Sequence, residues 1–153
     1  MNISASHAHL SGLEQLRAMI ASGRRVPISE TLDFDLVEIE EGRAVFRGVP
    51  GPATYNPIGS VHGGYAATLL DSACGCAVHS RLSAGQAYTT LELKVAYHRG
   101  MNKDTGPVTA EGRVLSMGRR AAFVEAKLHD ARGRLLASAS STLLIMQGES
   151  AGG

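Results

Sequence analysis

The sequence predicts an α+β domain in which one long central helix is wrapped by a mostly antiparallel six-stranded sheet, with a short helix ahead of both. Three observations carry that reading. The run Ala66 to Val78, AATLLDSACGCAV, is apolar or small on nearly every face, and a helix apolar all round is a buried one. Six further runs alternate apolar and polar residues or lie between turn residues, the pattern of half-buried strands. No strand–helix–strand repeat appears, so the crossover helices that parallel strands need are missing.

The 153 residues suffice for one hydrophobic core and are too few for two. The chain therefore reads as a single domain over 1–153, with a core from about 10 to 147 and loose tails. A net charge of +1 gives no bulk electrostatic case for nucleic acid or membrane as a partner. Tryptophan is absent and aromatics are few, which argues against a stacking platform for single strands. The longest apolar runs fall short of a membrane span. Met1 to Gln15 has no basic segment leading into an apolar one, so no secretion signal is read and a cytoplasmic location is expected.

Taken in order, Ser11 and Glu14 fit a capping box, and Leu13, Leu16, Met19 and Ile20 then recur at helical spacing until Gly23. Pro27 to Thr31 reads as a connector. Leu32, Phe34 and Leu36 alternate with Asp33 and Asp35 as a half-buried strand, and Val37 and Ile39 shift the apolar phase by one, the mark of a bulge. Glu40 to Arg43 is a turn, Ala44 to Val49 the returning strand, and Pro50-Gly51-Pro52 its end. After the long helix, Tyr88 to His98 places Leu91, Leu93, Val95 and Tyr97 at odd positions. Thr89 shares their parity and is expected to point inward. Gly100 to Gly106 is a polar loop. Val108–Met117 and Ala121–His129 are strands about a tight Gly118-Arg119-Arg120 turn. The Asp130–Gly133 hairpin turn then leads into a last alternating strand, Leu135–Met146. Cys74 and Cys76 lie two apart on the helix, where side chains do not face each other, so they read as small core residues.

The chemistry sits between Asn56 and Leu82. His62, Gly63 and Gly64 open the long helix, where unpaired N–H groups and partial positive charge collect. Glycine there either lets an anion or a developing oxyanion approach the backbone, or serves close packing on the sheet. Asp71 is the sharper signal. A carboxylate in so apolar a helix either bonds a nearby hydroxyl such as Thr68 or Ser72, or lines a site. It follows His62 by nine positions, about 13.5 Å along the axis and on the opposite face. One chain does not easily aim both at one reacting group. Two helices antiparallel about a two-fold axis do, which points to a homodimer with two composite sites.

The stretch Asn56 to Ala73, NPIGSVHGGYAATLLDSA, resembles the hotdog-fold acyl-CoA thioesterases of the phenylacetate-pathway, PaaI-like group. The order of elements is similar from about residue 10 to 147. The resemblance implies hydrolysis of an acyl-CoA substrate with no metal and no cofactor, CoA being part of the substrate. It implies a homodimer joined edge to edge through its sheets, and a dimer of dimers beyond it. Carried over by position, the Gly64 N–H polarises the thioester carbonyl, and Asn56 positions the thioester or the attacking water. His62 orients the loop or contacts the substrate. Asp71 of the partner subunit acts as general base or nucleophile. Thr89 holds water near that acid, or Thr90 does if the register is one out. Gly63 gives the substrate room at the helix end. Ser116, Gly118, Arg119 and Arg120 are the matching candidates for the CoA nucleotide, arginine suiting phosphate through its forked donors. Two other readings share the fold: an acyl-thioester hydratase or dehydratase, for which His62 and Asp71 are poorly placed within one chain, and a non-catalytic acyl-CoA sensor, which lacks an output module here.

Overall fold

Ser11 opens the first element. In the computed structural model, which describes residues 7–148, its hydroxyl accepts from the Glu14 N–H at 3.3 Å and the Glu14 carboxylate accepts from the Ser11 N–H at 2.8 Å. This capping box starts α1 (Gly12–Ser22), and Gly23, left-handed at φ 66°, ends it.

Pro27 to Thr31, expected as a connector, is helical instead: α2 spans Pro27–Leu32. Proline suits the first helical position, where a missing N–H costs nothing and φ is already right. Asp33 leaves this helix at φ 55°, a region that short polar residues tolerate. Arg25 holds the corner, donating to Asp33 at 2.8 Å and to Asp35 at 2.6 Å. Leu32 therefore closes a helix rather than opening a strand.

β1 (Phe34–Glu40) and β2 (Arg43–Gly48) form the expected hairpin. Their register slips between Leu36 and Glu38, which makes Val37 the bulged residue. A short 3-10 turn, Pro52–Thr54, leads toward α3 (Gly63–His79). β3 (Ala87–Tyr97), β4 (Val108–Met117), β5 (Ala121–Asp130) and β6 (Leu135–Met146) follow. The six strands make one antiparallel sheet in the order β1-β2-β4-β5-β6-β3, with β1 and β3 at its edges.

The sheet curls round α3, whose Leu69, Leu70, Ala73, Cys74, Ala77 and Val78 are fully buried. Close approach is possible because Gly112 of β4 has no side chain: a Cβ there would collide with the Ala73 carbonyl and the Cys74 nitrogen. Both cysteines are free, and burial, reinforced by the charge of Asp71, pushes their thiols up to about 12. They are neutral packing groups.

β3 departs from the expected facing. Its register against β6 slips between Thr90 and Glu92, so Leu91 is an extra residue and stands 59% exposed. The phase before the bulge is thereby reversed. Tyr88 joins Leu93 and Val95 against the core, Thr90 turns toward α3, and Thr89, expected inward, is exposed. Among the described residues no helix is long and apolar enough to cross a membrane.

Candidate active site

α3 begins with His62 as its cap. The His62 Nδ1 accepts from the Gly64 N–H at 2.8 Å, so its proton resides on Nε2 when the ring is neutral. The donor expected to face a thioester carbonyl is thus already engaged by the neighbouring imidazole. The Gly63 N–H has no partner among the described residues, and the Gly63 carbonyl accepts from the Tyr97 hydroxyl at 2.7 Å. Gly63 makes room for that ring: a Cβ would stand 2.9 Å from the Tyr97 oxygen.

The preceding loop is stitched shut. The Asn56 Oδ1 accepts from the N–H groups of Ile58 and Ser60, both at 3.1 Å, and its Nδ2 donates to the Ser60 hydroxyl at 3.0 Å. Val61 and His62 donate to the carbonyls of Met101 and Thr54. Asn56 therefore shapes the loop that delivers His62, with its acceptor oxygen fully used inside that loop.

Asp71 lies half-buried in the middle of α3. Its Oδ1 accepts from the Thr90 hydroxyl at 3.0 Å, and its Oδ2 has no partner among the described residues. Thr68, one of two hydroxyls weighed as a structural partner, donates instead to the Gly64 carbonyl at 2.8 Å. Asp71 is thus braced by one strand hydroxyl and keeps one oxygen free. The strand bulge explains why Thr90 rather than Thr89 supplies that brace.

Strand register shows which groups lie together. Thr90 pairs with Leu143, and Leu143 pairs with Ala122, two residues past Arg120. Tyr97, which touches Gly63, pairs with Ala137, and Ala137 pairs with Leu128. One protomer therefore groups Asp71, Thr90 and the arginine turn toward one end of the sheet. It places His62, Gly63 and Gly64 at the other end, seven residues away along β3. Ser116, Gly118, Arg119 and Arg120 are exposed. The turn is held by the Gly118 N–H donating to the Ala121 carbonyl at 2.9 Å, and neither arginine forms an ion pair among the described residues.

The thioesterase superfamily profile matches residues 58–137, more than half of the chain and the whole of α3. The chain belongs to the thioesterase superfamily. This thioesterase is similar to a candidate esterase of Saccharolobus solfataricus, 33% identical over 121 residues that span 78% of this chain and 84% of the relative. It is 25% identical to the 1,4-dihydroxy-2-naphthoyl-CoA hydrolase of Listeria monocytogenes over 118 residues, 77% of this chain and 94% of that one. Among solved structures, the Escherichia coli PaaI protein from the phenylacetic acid degradation operon superposes with a TM-score of 0.78 at 20% identity, covering 90% of this chain and 95% of that one. That superposition carries the fold, the hotdog expected from the Asn56–Ala73 motif. The thioesterase is a thioester hydrolase.

Sequence reasoning missed two features of the site. The His62–Gly64 bond was legible in principle, because a side-chain acceptor immediately ahead of a helix is a cap signal. The polar face formed by Ser72, Cys76 and His79 at helical spacing was hidden by its small residues.

Proposed function

We propose that this thioesterase hydrolyses an acyl-CoA thioester to free acid and CoA at two composite sites of a homodimer. One observation carries the reading: the Asp71 carboxylate is braced by Thr90 with one oxygen free, while the α3 N-terminus lies seven residues away along the same strand. β3 is an edge strand of 11 residues. Pairing it with its two-fold copy satisfies its open backbone groups and runs the two α3 helices antiparallel. Each helix N-terminus then meets the Asp71 of the partner subunit. Leu91, Leu115, Phe123 and Leu144, all exposed on the strands, give such dimers an apolar face for pairing further.

In this reading the thioester oxygen replaces His62 Nδ1 as acceptor of the Gly64 N–H, and the Gly63 N–H stands beside it. Each such donor is worth about 2.7–4 kcal/mol as charge develops on the oxygen. Water held between Thr90 and the free Asp71 oxygen attacks the carbonyl carbon and gives its proton to Asp71. The tetrahedral intermediate collapses, the C–S bond breaks, and the CoA sulfur takes that proton. Asn56 and His62 fix the loop geometry. Arg119 and Arg120, with Ser116 and Gly118 beside them, bind the nucleotide phosphates. The steps draw only on groups of the chain, water and the thioester.

The test is release of free thiol from a panel of aryl- and alkyl-acyl-CoAs. Turnover is expected on at least one class. The double variant Arg119→Ala, Arg120→Ala is expected to raise KM several-fold with kcat little changed, and the effect should shrink as salt rises. No thiol release across the panel would remove the acyl-CoA reading and favour a binding role or another acyl carrier.

A further inference from the structure

A cavity of about 700 Å³ lies between α1, the β1–β2 hairpin and the C-terminal half of α3. One side is apolar, formed by Leu16 and Met19 of α1 with Leu36 and Phe46 of the hairpin, and the charged Arg24, Arg25 and Asp35 also line the cavity. The other side is polar, formed by Ser72, Cys76 and His79 at i, i+4 and i+7 of α3, with Tyr88 from β3. The cavity begins beside the acid. Ser72 follows Asp71 in the chain, Tyr88 shares the inner face of β3 with Thr90, and the Tyr88 ring lies over Gly75, one helical turn past Asp71.

The polar side asks for an occupant. The Ser72 and Tyr88 hydroxyls have no hydrogen-bond partner among the described residues. The Gln15 amide nitrogen donates to the His7 and Leu10 carbonyls, which leaves its oxygen to accept from His79 Nε2 at 2.8 Å. That bond sets the tautomer and leaves His79 Nδ1 an acceptor without a partner among the described residues. Burial lowers the His79 pKa and keeps the ring neutral. His79 and Tyr88 meet edge to face, ring centroids 5.9 Å apart. The Tyr88 donor therefore stands over Gly75, about 6 Å along the helix from Asp71, and the His79 acceptor lies one turn further on, with the two rings in contact.

We propose that this cavity holds the acyl group of the thioester and selects a long, largely apolar acyl chain with a hydroxyl at its far end. The inference rests on the hydrolase reading above and names its substrate class. The apolar wall takes the chain, and the Tyr88–His79 pair takes the hydroxyl, which both donates and accepts. The subunit that supplies Asp71 thus also reads the acyl group, while the helix end and its polarised carbonyl belong to the partner subunit.

The experiment is calorimetric titration of decanoate and ω-hydroxydecanoate, run beside thiol release from the matching CoA esters and from acetyl-CoA. The wild type is expected to bind ω-hydroxydecanoate about three- to tenfold more tightly than decanoate, the worth of one hydrogen bond. Tyr88→Phe should erase that preference. Met19→Trp should weaken both acids about tenfold or more by filling the cavity, and should lower the ratio of decanoyl to acetyl turnover by a similar factor. Cys76→Leu fills the same space from the opposite wall and replaces Met19→Trp if that variant does not fold. Equal affinities in wild type and filled variants, or no binding by the wild type, would overturn the proposal. Binding that follows the expected pattern without thiol release from any ester would overturn the acyl-CoA reading and leave the acyl-chain site standing.

Discussion

Asp71→Ala is expected to lower kcat/KM for thioester hydrolysis by about 10²–10⁴-fold, the range typical of a lost general base. The carboxylate is the half-buried acid of α3 and keeps one oxygen outside any hydrogen bond among the described residues. The same substitution should cost little stability. Among the described residues its only side-chain bond is to Thr90, worth about 0.5–1.5 kcal/mol, and the change relieves a carboxylate of an apolar setting. Steady-state kinetics paired with thermal unfolding separates the two effects. A variant that unfolds at the wild-type temperature and has lost turnover fits the assignment; one that keeps wild-type turnover removes Asp71 from the chemistry.

Gly112→Val should be the most damaging substitution in the sheet, with an expected loss of about 3 kcal/mol or more. The added atoms would meet the Ala73 carbonyl and the Cys74 nitrogen, which are backbone groups and cannot rotate aside. Relief requires α3 to lift from β4, and that opens the packing around Leu69, Leu70 and Ala73. Against a typical domain stability of about 5–15 kcal/mol this is a large fraction. Gly100→Ala is the control, because nothing lies within 4 Å of its added Cβ and its φ is not positive. Denaturant midpoints should fall steeply for the first and stay within about 0.5 kcal/mol for the second. A mild effect of Gly112→Val would mean that α3 does not bear on β4 at this point.

Local signals were legible, and non-local ones were not. The Ser11–Glu14 box, the buried run of α3, the Val37 bulge and the Asp130–Gly133 turn each depend on residues within a few positions of one another. α2 escaped notice because six residues are too few for a helical period to show, and its corner is held by Arg25 reaching Asp33 and Asp35. In β3, the alternation from Leu91 onward extrapolates wrongly to Thr89, because the bulge that reverses the phase is fixed by register with β6, some 50 residues away. Asp71 stood out as an acid in an apolar helix, yet its partner hydroxyl depended on that bulge. Asn56 and His62 stood out in the motif. Their bonds within the loop and to Gly64 appear only once the turn geometry is known.

The composite site makes the most direct demand. Gly64→Pro removes the N–H assigned to the thioester oxygen, in the first turn of α3 where no intrahelical bond is lost, together with the His62 cap bond to that N–H. Homodimers of Gly64→Pro and of Asp71→Ala should each be inactive. A heterodimer carrying one copy of each variant holds one site with both defects and one site with neither. Thiol release by that purified heterodimer, at about half the wild-type rate, is the result expected if each site draws its helix end and its acid from different subunits. A heterodimer as inactive as its parents would place both groups in one chain and contradict the account.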